Sequence, residues 1–158
     1  MDHVIIDDIL DLEERDLISL ELELSLLKKY LNIMEIRFND HLSLKISVPN
    51  SIKNVLLPGM ILQPIVENSI KHGYSNLVKK LHLDINIYKK KNKLVIEIFN
   101  NGKPIKKEEL RNGNGLNNIQ ERLETLFGED YEFHFYNLDG KGVITIIIIP
   151  YSEQAVLV

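Results

Sequence analysis

From Leu20 onward, apolar residues recur at helical spacing: Leu20, Leu24, Leu27, Leu31, Met34 and Phe38, with Glu21, Glu23, Lys28 and Glu35 off the stripe. The spacing predicts an amphipathic helix with Ser19 as its N-cap. The period then changes to two. Leu42, Leu44, Ile46 and Val48 alternate with Ser43, Lys45 and Ser47, which predicts a half-buried strand stopped by Pro49. Pro58 suits the first turn of a second helix and Gly73 its end, and Pro64 inside it predicts a local bend. Leu81, Leu83, Ile85 and Ile87 alternate again; with a polar turn over Lys89 to Lys93 and a strand from Leu94 to Phe99 they predict a hairpin. Residues 100–114 are polar and glycine-punctuated and read as a loop. A helix from about Gly115 to Phe127, capped by Gly128, precedes a closing hairpin of Tyr131–Tyr136 and Val143–Ile149 around the turn NLDGKG. Residues 1–18 show no clear period. The order predicts an α+β domain: a mostly antiparallel sheet with helices on one face.

Composition narrows the function classes. The 158 residues suit one domain with a real core, and 44% hydrophobic with 27% charged residues is ordinary soluble composition. The formal charge of −4 gives no reason to expect nucleic-acid or membrane binding. With no cysteine, a thiolate zinc site, a disulfide framework and a cysteine nucleophile are excluded. The longest apolar run, Val143 to Ile149 interrupted by Thr145, is too short to span a bilayer.

Chemistry gathers in three places. The stretch QPIVENSIKHG puts Glu67, Asn68, Lys71 and His72 on one and a half turns of helix, with positions 68, 71 and 72 on a shared face. Asn100-Asn101-Gly102 ends a buried strand. Gly113-Asn114-Gly115-Leu116 leads into a helix, where a glycine-rich loop offers free backbone amides to a phosphate. The Asn68 amide oxygen is a suitable hard ligand for magnesium between phosphates, and the Lys71 charge suits phosphate. Each feature also has a plain structural reading. Gly-x-Gly before a helix is an ordinary turn, His72 near a helix end is favoured by the dipole, and Lys103, Lys106, Lys107 and Arg111 make a solvated loop. The polar cluster at 67–72 resists that reading, because a structural helix would gain more from apolar side chains.

Taken jointly, the pieces resemble the ATP-binding catalytic domain of sensor histidine kinases, in the GHKL superfamily with its Bergerat fold, and more narrowly the LytS/YehU-like subfamily. Leu26 through Phe38 resembles that subfamily's lead-in helix, and Leu62 through Gly73 is similar to its N box almost residue for residue. Asn100-Asn101-Gly102 falls at the first glycine box, Gly113 to Ile119 with Glu121-Arg122-Leu123 at the second, and Gly140-Lys141-Gly142 with the last strand at the final one. The match covers about residues 20–150. It implies a two-layer α/β sandwich on a mixed, mostly antiparallel sheet, with residues 1–19 as a lead-in segment and 20–158 as the catalytic domain. It also implies Mg-ATP as ligand: Asn68 on magnesium, Lys71 near the phosphates, His72 near phosphate or ribose, and Asn100, Gly102, Gly113, Gly115 and Leu116 completing the nucleotide site. Glu67, Asn68 and Lys71 are the implied catalytic set, donating the γ-phosphoryl group to a histidine outside this chain.

The sequence departs from the family pattern at several points. Asn100 replaces the aspartate that accepts a hydrogen bond from the adenine amine, and an amide oxygen accepts it at roughly half the strength. Pro104 replaces a glycine and stiffens the loop. Val143 stands where a threonine usually follows the last glycine, at the loss of one polar contact near the base. Pro64 occupies the position where ATPase branches place a water-activating carboxylate, which favours phosphoryl transfer over hydrolysis. No segment matches the subfamily's Pro-His-Phe-like acceptor helix, and His3 lacks its neighbours. The expected partners are therefore a phosphoacceptor-histidine dimerisation domain of a homodimeric parent and a downstream response regulator, with the parent a membrane-bound sensor and this domain on its cytoplasmic side. The competing expectation is a degenerate domain that senses nucleotide or binds protein without kinase activity.

Overall fold

In the computed structural model, residues 17–74, 80–106 and 116–154 are described. They form β1 (Leu17–Ser19), α1 (Leu20–Phe38), β2 (Leu42–Ser47), β3 (Leu56–Pro58), α2 (Leu62–Tyr74), β4 (Leu81–Lys90), β5 (Lys93–Asn100), α3 (Leu116–Phe127), β6 (Glu132–Leu138) and β7 (Gly142–Pro150). Five strands make one sheet in the order β2-β4-β5-β7-β6. Only β2 and β4 pair in parallel, and the connection between them carries α2; a parallel pair needs such a crossover, whereas the other neighbours are hairpins or antiparallel returns. The mixed, mostly antiparallel two-layer sandwich is the expected architecture.

Strand alternation decides which face is buried. Leu81, Leu83, Ile85 and Ile87 of β4, Leu94, Ile96 and Ile98 of β5, and Ile147 and Ile149 of β7 point to one side. There they join Leu20, Leu24, Leu27 and Leu31 of α1, Ile65, Val66 and Ile70 of α2, and Ile119 and Leu123 of α3 in one core. Each fully buried leucine or isoleucine contributes about 1.5–3 kcal/mol. All three helices therefore cover the same face.

The first turn of α1 is tied down completely. Leu22 donates its N–H to the Ser19 hydroxyl at 3.1 Å, as the cap predicts, while Leu20 and Glu21 donate to the Val55 and Lys53 carbonyls. At the other end of the fold, Gly128 adopts φ 62° and donates to the Glu124 carbonyl, closing α3 as expected.

Four local expectations change. Residues 17–19 and 56–58 form a small two-stranded antiparallel sheet, with Ile18 opposite Leu57; three-residue strands are too short to show a period. Pro58 ends β3 rather than starting a helix, and α2 begins at Leu62 after a turn in which Met60 takes φ 58°. Pro64 consequently sits in the first turn of α2, where its missing N–H would have had no helical partner, so it costs no helical hydrogen bond. Gly73 lies within α2 and is not in the left-handed region; a Cβ there would meet the Leu81 side chain at 2.4 Å, so glycine allows helix and strand to approach.

Candidate functional site

The cleft lies at one end of the sheet, between α2 and the segment following β5. Ile65, Asn68, Ser69 and His72 line it from α2, Asn100 and Ile105 from the end of β5 and beyond, Leu116 from the start of α3, and Phe135 and Thr145 from β6 and β7. It is narrow, little wider than a water molecule. The helical periods of three and four place 65, 68, 69 and 72 on one stripe. Ser69 turns its hydroxyl back onto the Ile65 carbonyl at 3.0 Å and is buried, so it consumes its own polarity within the helix.

Asn68, His72, Asn100 and Leu116, all read from the sequence, are thus brought to one cleft. Lys71 and Glu67 are not: both are exposed and lie off the stripe. Glu67 is held at the outer edge by Gln63, whose side-chain amide donates to it at 3.1 Å. Gly113 and Gly115 lie outside the described residues.

Asn100 is 5% exposed, and its carboxamide oxygen accepts the Gly102 N–H at 2.9 Å. A carbonyl oxygen has two lone pairs, and Gly102 takes one. The buried oxygen therefore turns the chain sharply at Gly102, where a Cβ would meet the Asn100 oxygen at 2.9 Å and the Gly73 Cα at 3.2 Å. Gly142 makes the tightest approach: it has φ 140°, and a Cβ there would lie 2.0 Å from the Asn100 carbonyl oxygen. Asn101 fixes the other side. Its oxygen accepts the His82 N–H at 2.8 Å and its amide donates to the Lys80 carbonyl at 3.1 Å.

Three polar side chains with a structural part in or behind the cleft escape sequence reading. Asn137, in the hairpin end NLD, bonds the backbone of Ile105 through both of its amide atoms. Thr145, opposite Ile98 and 4% exposed, supplies a hydroxyl to the cleft two residues beyond Val143 on the same face of β7. Glu23, placed off the stripe by its charge, is 1% exposed; its carboxylate accepts the Met60 and Ile61 N–H groups, both at 2.9 Å. Burial pushes the Glu23 carboxyl above the usual carboxylate range, against the pull of the Ile61, Met60 and Leu62 amides and the Arg122 charge. Only the hydrogen-bonding pattern of residues 60 and 61 in space would have shown that this glutamate points inward.

Among the described residues, no three His, Asp or Glu side chains gather to hold a metal. The donor set fits a metal that brings its own ligands: the neutral oxygen of Asn68 suits magnesium, which keeps waters and takes phosphate oxygens.

No protein-family model matches the chain. It is 38% identical to the sensor protein LytS of Oceanobacillus iheyensis, over 91% of this chain and 27% of that protein. It is 34% identical to the sensor histidine kinase BtsS of Escherichia coli, over 89% of this chain and 25% of that protein. The chain thus spans about a quarter of the length of the curated relatives it matches. Its fold is that of the catalytic domain of histidine kinase ThkA, with a TM-score of 0.63 at 17% identity, covering 85% of this chain and 95% of that one. The mycobacterial sensor histidine kinase MprB is similar at the same TM-score, 13% identical, over 89% and 99%. Among the described residues, no helix is long and apolar enough to cross a membrane.

Proposed function

This chain is a relative of the LytS-like sensor histidine kinases with the fold of a histidine kinase catalytic domain, and from that premise we propose that it binds Mg-ATP in the α2 cleft and donates the γ-phosphoryl group to a histidine. The observation that carries the reading is the convergence of Asn68, His72, Asn100 and Leu116 on one cleft from three separate elements. Asn100 faces the adenine edge, with Thr145 beside it. Asn68 would hold magnesium through its side-chain oxygen, and the ion would supply positive charge against the phosphates. His72 approaches phosphate or ribose. Gly102 gives the backbone room beside Asn100, and the family resemblance assigns Gly113 and Gly115 to the nucleotide as well. Lys71, at the exposed side of α2, meets the outer phosphates.

In the transfer, the acceptor imidazole nitrogen bonds to the γ-phosphorus, the bond to the ADP oxygen breaks, and the imidazole proton leaves. Glu67, exposed beside Asn68 in the α2 sequence and oriented by Gln63, would receive that proton from an acceptor approaching the outer side of the helix. The acceptor histidine belongs to a dimerisation domain of a homodimeric parent, which hands the phosphoryl group to a response regulator in a two-component phosphorelay, and this domain works on the cytoplasmic side. No part of this scheme involves nucleic acid.

Titration calorimetry with ADP and magnesium, followed by transfer of labelled γ-phosphate to a supplied acceptor-helix segment, tests the reading. Binding plus labelling of one histidine is expected. Steady multiple-turnover hydrolysis by the chain alone would make it a hydrolase instead. Binding without labelling would favour the second reading, a nucleotide-sensing or protein-interaction module without kinase activity; the engagement of the Asn100 oxygen by Gly102 and the stiff Pro104 favour that reading.

A further inference from the structure

Glu23 is the only acidic residue among the buried polar side chains of the described chain, and it does not touch the cleft. Its two oxygens take one backbone N–H each, from Met60 and Ile61, at the point where α2 begins. A carboxylate at a helix N-terminus is favoured by the dipole and by the unpaired amides there. The same turn is held from α3 as well: Arg122 donates to the Gly59 carbonyl at 2.7 Å, and its charge acts on Glu23. Residues 59–61 are therefore bonded by a side chain of α1 and a side chain of α3, in a turn where Met60 holds a left-handed φ of 58° that a methionine rarely adopts.

The turn fixes the start of a rigid helix. Asn68 lies seven residues beyond Ile61, roughly 10 Å along α2 at 1.5 Å per residue. Leu116 lies six residues before Arg122 on α3, a similar distance. A shift of the turn thus moves the two walls of the cleft relative to each other. The two directional hydrogen bonds to the Glu23 oxygens specify the position of the turn more narrowly than apolar contact does.

We propose that Glu23, acting with Arg122, is a positioning residue for the nucleotide site: the pair locks the 59–61 turn so that the Asn68 face of α2 and the Leu116 end of α3 oppose each other at the spacing that Mg-ATP needs. This rests on the Mg-ATP reading of the cleft, so the test carries a readout that needs no nucleotide. Glu23→Gln, Glu23→Asp, Arg122→Gln and the double variant Glu23→Gln with Arg122→Gln are made in the full chain, and each is assayed for Mg-ADP affinity by calorimetry and for backbone amide resonances of Asn68 and Ile119 by NMR. Glu23→Gln and Arg122→Gln should each weaken Mg-ADP by about tenfold, within the usual range for coupled sites. Both should displace the Asn68 and Ile119 resonances, the double variant should be no weaker than the worse single one, and Glu23→Asp should recover part of the loss. Should Glu23→Gln fail to fold, Arg122→Gln decides. Unchanged affinity and unchanged resonances at 68 and 119, with only a lower melting temperature, would overturn the proposal. If the unaltered chain binds no Mg-ADP, the Mg-ATP reading fails, and the resonances alone decide whether Glu23 and Arg122 set the two walls.

Discussion

The side chain of Asn137 holds the backbone of Ile105 at both ends of its peptide polarity: its oxygen accepts the Ile105 N–H at 3.0 Å, and its amide donates to the Ile105 carbonyl at 3.0 Å. A strand neighbour would offer the same pair of bonds, so one side chain stands in for a strand and carries the segment after β5 across the cleft. Asn137→Ala should release that segment. Two hydrogen bonds at about 1 kcal/mol each set the scale of the loss, and the Ile105 amide should exchange with solvent markedly faster. Unchanged hydrogen exchange at Ile105 would show that the segment is held by something else.

Asn68→Ala should weaken nucleotide binding far more with magnesium than without it, because the amide oxygen is the proposed ligand of the metal and not a contact of the base. Calorimetry with ADP in magnesium and in chelator makes the comparison. Equal losses in the two buffers would remove Asn68 from the metal.

At the base, Asn100→Asp should raise the preference for adenine over guanine nucleotides. A carboxylate accepts a stronger bond from the adenine amine and repels the guanine carbonyl, whereas an amide can turn to donate. The gain is about 1 kcal/mol, or roughly fivefold to tenfold. Competition between ADP and GDP measures it, and an unchanged ratio would mean that residue 100 does not read the base.

Two glycines with positive φ should respond very differently to alanine. Gly128 has nothing within 4 Å of the added carbon, so Gly128→Ala meets only the left-handed backbone cost, roughly 1 kcal/mol. Gly142→Ala adds a collision 2.0 Å from the Asn100 carbonyl oxygen, against backbone that cannot swing aside. It should cost several-fold more and distort the end of β5 that carries Asn100. Denaturant midpoints of the two variants test the order, and equal losses would contradict the packing at Gly142.

The raised pKa of Glu23 has a defined consequence for stability. A carboxyl that binds its proton more tightly folded than unfolded stabilises the fold fully below the ordinary glutamate pKa and loses that contribution as the pH rises through the folded value. Relative to Glu23→Gln, which does not titrate, the unaltered chain should therefore lose stability as the pH climbs out of the acid range. Urea midpoints of the two proteins across pH measure the slope, and a stability of the unaltered chain relative to Glu23→Gln that rises with pH would contradict it.

By itself the sequence determined the elements whose hydrophobic pattern is long enough to read: α1 from its leucine stripe, β4 from strict alternation, β5 as the apolar return arm of its hairpin, and α3 to its stop at Gly128. It also singled out the polar cluster of α2 as a candidate site, and Asn68 and His72 of that cluster do line the cleft. What only the tertiary structure decided is where polarity turns inward. Glu23 looks like a surface residue until the amides of Met60 and Ile61 are placed against it, since a charge is buried only where donors from distant chain meet it. Pro64 looked like a bend until α2 was seen to start two residues before it. Lys71 shares the asparagine's spacing on paper, yet the cleft takes the 68–72 stripe and leaves the lysine exposed, because strands β4 to β7 set which side of the helix is covered. Spacing along a chain gives the angle between side chains on a helix; the sheet beneath fixes the rotation of that helix.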